Sequence, residues 1–214
     1  MIKEAKALKG LWIKDWYSIK KLAVVYAVLT IFLWFFFGLL DQTENFWTSW
    51  FLLLYPAFLA GLLPISSLIQ EEQDRWEVFS GSLPYTRDQL VAAKYSLVLQ
   101  IAAAAVVLFF AAQMASWTLT GGPVWQKIGA TLMILIGIIL VEPALQFPVT
   151  YRFGGKKSQW GGLLLTGAFW GMSALLFPKL CHSLILSMVF LLAGILVFLI
   201  SWRLSIRIYR KREF

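Results

Sequence analysis

Six long apolar runs separated by short loops dominate this chain, and they leave a multi-span membrane bundle as the architecture open to it. The runs cover residues 22–40, 50–69, 94–117, 127–147, 163–178 and 184–202. One crossing takes about 20 apolar residues, because a helix rises about 1.5 Å per residue through a hydrocarbon core of about 30 Å. Only 14% of the residues are charged and 60% are hydrophobic, whereas a soluble domain has roughly a quarter charged. The runs use more than half of the 214 residues, and what remains is too short for a separate soluble domain. The expectation is an all-α polytopic membrane protein of six transmembrane helices, with residues 1–214 as a single domain.

Charge orients the bundle. With the N-terminus in the cytosol, seventeen of the nineteen Lys and Arg residues fall on the cytosolic side. Only Lys127 and Lys179 fall at outer ends. A bias of this size over short loops is the positive-inside pattern, so both termini are expected in the cytosol. The net charge of +8 gathers at membrane boundaries, which points to anionic lipid headgroups as partners and away from nucleic acid. The first run is longer than a signal-peptide core, and Asp41-Gln42-Thr43-Glu44 follows it in place of a small-residue cleavage site, so it is read as a retained span.

Residues 1–21 read as an amphipathic interfacial helix. Ile2, Ala5, Leu8, Trp12, Trp16 and Ile19 recur every three or four positions, with Lys3, Lys6, Lys9 and Lys14 on other faces. The outer loops are short and nearly uncharged. The cytosolic loop at residues 70–93, between spans two and three, is longer than a connector requires. Residues 70–79 read as a helix with acids at its start, where the helix dipole favours them, and Gly81 and Pro84 as its stop. Trp76 and Phe79 share a face. Thr86 and Gln89 form a capping box that opens the next helix. Pro148 is read as the end of the fourth span, within a second cytosolic loop at residues 146–158 whose two glycines and two lysines form a basic turn.

Catalytic chemistry is sparse. His182 is the only histidine and Cys181 the only cysteine, so a two-histidine metal site and an intrachain disulfide are both excluded within one chain. Gly154-Gly155-Lys156-Lys157-Ser158 lacks the glycine spacing of a phosphate loop. Glu142-Pro143 is the one ionisable pattern inside a span. An acid at membrane depth is costly and marks a candidate transport path, and Pro143 removes a backbone donor beside it.

Three stretches together resemble the membrane subunits of ABC transporters of the ABC-2 permease type. They are Lys9-Gly10-Leu11-Trp12-Ile13-Lys14-Asp15-Trp16-Tyr17, then Ser82-Leu83-Pro84-Tyr85-Thr86-Arg87 with Val91 and Lys94-Tyr95, then Phe147-Pro148 with Tyr151-Arg152-Phe153-Gly154 and Lys156-Lys157-Ser158. Within that family the chain looks most like the small bacterial subgroup that includes the membrane subunit of the phenol-soluble modulin exporter. The resemblance implies a bacterial cytoplasmic membrane protein that is not itself an enzyme and holds no cofactor. A separate nucleotide-binding subunit binds ATP and Mg and supplies hydrolysis. Two membrane chains, as a homodimer or a similar heterodimer, work with two ATPase subunits. The substrate class implied is amphipathic or hydrophobic, most simply a peptide. The loop at residues 70–93 matches the family's coupling helix, so Glu71, Glu72, Asp74, Arg75, Trp76, Glu77 and Phe79 are the expected contacts to the ATPase. Trp76 and Phe79 would enter an apolar cleft, and the acids would meet a basic rim. The competing readings are an ABC permease for lipid or drug, a channel, sensory or structural membrane protein, and a membrane-embedded enzyme whose catalytic constellation is missing.

Overall fold

A computed structural model describes residues 2–40, 46–74, 76, 79, 85–120 and 125–211. Among these residues the chain is helical throughout. Its elements are α1 (Ile2–Leu40), α2 (Phe46–Gln73), α3 (Arg87–Thr120), α4 (Trp125–Phe153), α5 (Gly155–His182) and α6 (Leu184–Arg210). Among the described residues, four segments have the length and apolarity to cross a membrane: Arg87–Ala111, Ile128–Phe153, Trp160–Phe177 and Leu184–Arg210. The apolar runs at 22–40 and 50–69 lie on α1 and α2.

α4 is the hub and packs on α2, α3, α5 and α6, most extensively on α6. Gly194 makes that contact close, because a Cβ there would stand 3.3 Å from the carbonyl oxygen of Gly137. α1 packs on α2 and α3. A core of Tyr95, Phe147 and Phe198 joins α3, α4 and α6, with Tyr95 edge-on to both rings at about 5 Å. The Tyr95 hydroxyl shares hydrogen bonds with Ser201 and Ser205 at 2.7 and 2.8 Å, and Ser201 donates to the Ala144 carbonyl. These hydroxyls are thus paired inside the bundle, as a medium without water favours.

Three local expectations change. Ile2–Leu40 is one continuous helix, with no break between the expected interfacial helix and the first run. Its tryptophan stripe packs on α3, where Trp12 Nε1 donates to Ser96 and Trp16 Nε1 to Gln100. Residues 70–73 are the end of α2, closed by the Asp74 N–H on the Gln70 carbonyl at 2.9 Å. The acids there therefore sit at a helix C-terminus, where the dipole opposes them. Finally, α4 runs through Pro143 and Pro148 to Phe153, and Gly154 alone separates it from α5. The expected basic turn is a single residue at φ +80°, a backbone that glycine adopts without penalty. The expected capping box is present: the Gln89 N–H donates to Thr86 Oγ1, and the Thr86 N–H to Gln89 Oε1.

Candidate functional site

The densest chemistry lies where α1, α2 and α3 meet. α1 turns Leu11, Asp15 and Ile19 inward, one helical turn apart. Asp15 is 1% exposed and Lys94, on α3, 4%. Lys94 Nζ donates to Asp15 Oδ1 at 2.8 Å and to Ser67 Oγ of α2 at 2.7 Å, and it stands 2.8 Å from Glu71 Oε1. Lys14 pairs with Glu71 and lies 3.3 Å from Asp15. Two cations and two carboxylates therefore balance in one cluster spanning three helices. A pair this buried costs much of its Coulomb energy in desolvation, yet removing one partner strands the other. The cluster is therefore costly to break even where forming it adds little net stability.

The loop after α2 rests on this cluster. Lys14 Nζ lies 4.2 Å above the Trp76 ring, a cation–π contact. Four residues earlier on α1, a Cβ on Gly10 would stand 3.4 Å from the Tyr85 hydroxyl. Trp76 and Tyr85 lie near the two ends of the loop, and each meets α1 on adjacent turns of one face. A cavity of about 30 Å³, the size of one water, lies between Trp76 and the ions and is also lined by Tyr151 and Tyr209. Burial lowers the Lys14 pKa to about 8, helped by the neighbouring Lys94 charge and opposed by Asp15.

The expected docking residues divide. Trp76 and Phe79 stand side by side, ring centroids 5.2 Å apart. Phe79 is exposed, as is Asp74, while Trp76 is half-buried over Lys14. Glu71 is turned inward to Lys14 and Lys94, away from the free rim expected of it. Glu72 packs against Gly154, where an added Cβ would meet its Oε1 at 2.6 Å. Arg75 and Glu77 lie outside the described residues, as do Gly81 and Pro84. The loop exit is tied to the end of α6. Arg210 Nε donates to Asp88 Oδ1 at 2.8 Å with a second bond beside it, and Arg87 donates to the Arg210 carbonyl.

Glu142 is 1% exposed, and neither carboxyl oxygen has a hydrogen-bond partner among the described residues. It fills the notch at Gly61 of α2, where a Cβ would stand 2.3 Å from Oε2. One turn further along α4, Gln146 donates to Thr166 at 2.5 Å. Gln146 and Thr166 line an apolar cleft of about 690 Å³ with Tyr55, Phe58, Leu62 and Trp170.

Neither Asp15 nor Lys94 stands out in the sequence as a site residue. Yet Asp15 comes from the first stretch that carries the resemblance and Lys94 from the second. The third supplies Tyr151 to the cavity wall and Gly154 to Glu72. Three segments far apart in sequence thus converge on one cluster. The model of the family described as ABC-2 family transporter protein matches residues 10–210, which takes in all three but for Lys9. The chain belongs to the ABC-2 transporter family. No curated protein and no solved structure matches it. ABC-2 permeases are membrane transport subunits that work with an ATPase subunit. The apolar spans and their exposed Leu, Ile and Val side chains make this chain an integral membrane protein.

Proposed function

We propose that the chain is the membrane subunit of an ABC exporter in a bacterial cytoplasmic membrane. Residues 1–214 act as one domain of six spans with both termini in the cytosol. Two such chains, identical or similar, work with two ATPase subunits that bind ATP and Mg, and they export an amphipathic substrate of the peptide class. The cleft at Phe58 and Trp170, with Gln146 its polar point, suits an amphipathic guest, and Glu142 and Pro143 beside it are candidates for the path. The relationship to the phenol-soluble modulin exporter remains part of this proposal.

The observation that carries the reading is the contact of Trp76 with Lys14. A docking loop transmits work only through contiguous contacts. Here an exposed Phe79 abuts Trp76, Trp76 lies on Lys14, and Lys14 joins the ions that hold α1, α2 and α3 together. Phe79 is then the group that enters the ATPase and Trp76 the link behind it. Asp74, Arg75, Glu72 and Glu77 would set the approach of the two surfaces.

The test is co-purification from the native membrane together with substrate-stimulated ATP hydrolysis. Phe79→Ala should weaken ATPase binding by about 2 kcal/mol, the size of an aromatic anchor. Trp76→Ala should leave more of the complex intact but break the dependence of hydrolysis on transport. A chain that brings down no ATPase, or a Phe79→Ala variant with normal assembly and transport, refutes the reading.

A further inference from the structure

We propose that the outward face of α6 binds one anionic phospholipid, its acyl chain along Leu192, Leu196 and Ile200 and its phosphate on Arg203, Arg207 and Lys211. The face follows from the helix period. α6 buries Ser187, Gly194, Phe198, Ser201, Ser205 and Tyr209. At about 100° per residue, the six residues of the proposed site form a column on the opposite side, spaced by three or four. Leu192, Leu196 and Ile200 are 50%, 60% and 66% exposed, and the three cations are exposed as well. None of the three forms an ion pair with an acid among the described residues. Arg210, in the same turn, is different: its guanidinium is held by Asp88 and is not available to an anion.

Dimensions fit a single lipid. Leu192 to Ile200 spans about 12 Å along the axis, close to the depth of one leaflet's hydrocarbon. The basic residues begin where the apolar column ends, and their long stems carry the charge toward the headgroup layer. An acidic protein would complement the cations alone. A lipid complements both halves of the column at once. Binding there would steady the last turns of α6 and, through Arg210 and Asp88, the start of α3. The assignment does not depend on the exporter reading.

The experiment titrates the purified full-length chain with phosphatidylglycerol or phosphatidylcholine and reads thermal unfolding, with bound lipid counted by native mass spectrometry. Phosphatidylglycerol should act at concentrations at least tenfold lower, since each basic residue near an anionic headgroup is worth about fivefold in affinity. The triple variant Arg203→Gln, Arg207→Gln, Lys211→Gln should lose the preference, and Arg203→Lys with Arg207→Lys should keep it. If the triple variant does not fold, the single Gln variants decide, each expected to lower the preference severalfold. No preference in the wild type, or preference undiminished in the Gln variants, overturns the proposal. Gln variants that lose a co-purifying ATPase while keeping the lipid preference would mark the ladder as a protein contact and also overturn it.

Discussion

At the scale of single residues, the ion pair between Asp15 and Lys94 sets the sharpest expectations. Lys94→Met leaves Asp15 buried beside Glu71 with one cation fewer, and stranding a buried charge costs about 3–5 kcal/mol. The double variant Asp15→Asn, Lys94→Met removes both charges and should recover most of that loss. Thermal unfolding of the three proteins measures it, and a double variant as unstable as the single would contradict the pairing. Lys14 adds a pH dependence. Its folded pKa, about 8, lies below its ordinary value of 10.5, so the charged form opposes folding. That cost is fully present below about pH 8 and fades as the pH rises from about 8 to 10.5. The wild type should therefore gain stability relative to Lys14→Arg, which stays charged, as the pH rises from 7 to 9. Thermal unfolding of the two proteins across that range checks it, and parallel pH profiles would contradict the burial of the Lys14 charge. Asp15 was hard to pick out because its neighbours Trp12, Trp16 and Ile19 form so good an apolar stripe. An acid at the i−4 position from a buried isoleucine, facing a lysine just inside an apolar run, is the pattern that reveals it.

At the scale of elements, the apolar runs told where helices lie but not where they stop. Proline is a weak stop in a bundle, because packed neighbours support a helix through it. Accordingly α4 passes Pro148 and ends only at Gly154. The capping box at Thr86 and Gln89 was legible because its two hydrogen bonds are local. The position of the acids after Gln70 was not, because Lys14 and Lys94, which offset the unfavourable dipole, come from other helices. Gly154 has both a left-handed backbone and the Glu72 carboxylate against it. Gly154→Ala should cost about 1–3 kcal/mol for the backbone alone, and more for the displaced Glu72. An unfolding temperature equal to the wild type would show that the turn is less constrained than its geometry indicates.

At the scale of the whole molecule, the family and the all-helical class were legible from the apolar runs and three short stretches, while the meeting of those stretches was not. The orientation rests on charge. Lys94 belongs to that count by position, but its partners lie within the bundle. In a Cys181→Ser background, single cysteines at Gln42, Gly121 and Ser183 should react with an impermeant reagent added outside, and ones at Gln73 and Arg152 should not. The reverse pattern would invert the bundle. The joint at Gly154 also bears on what the fold tolerates. With one residue between α4 and α5, the two helices cannot part at that end without opening the joint, so a tag spliced into it should lower the unfolding temperature, while one placed between α2 and α3 should leave it unchanged.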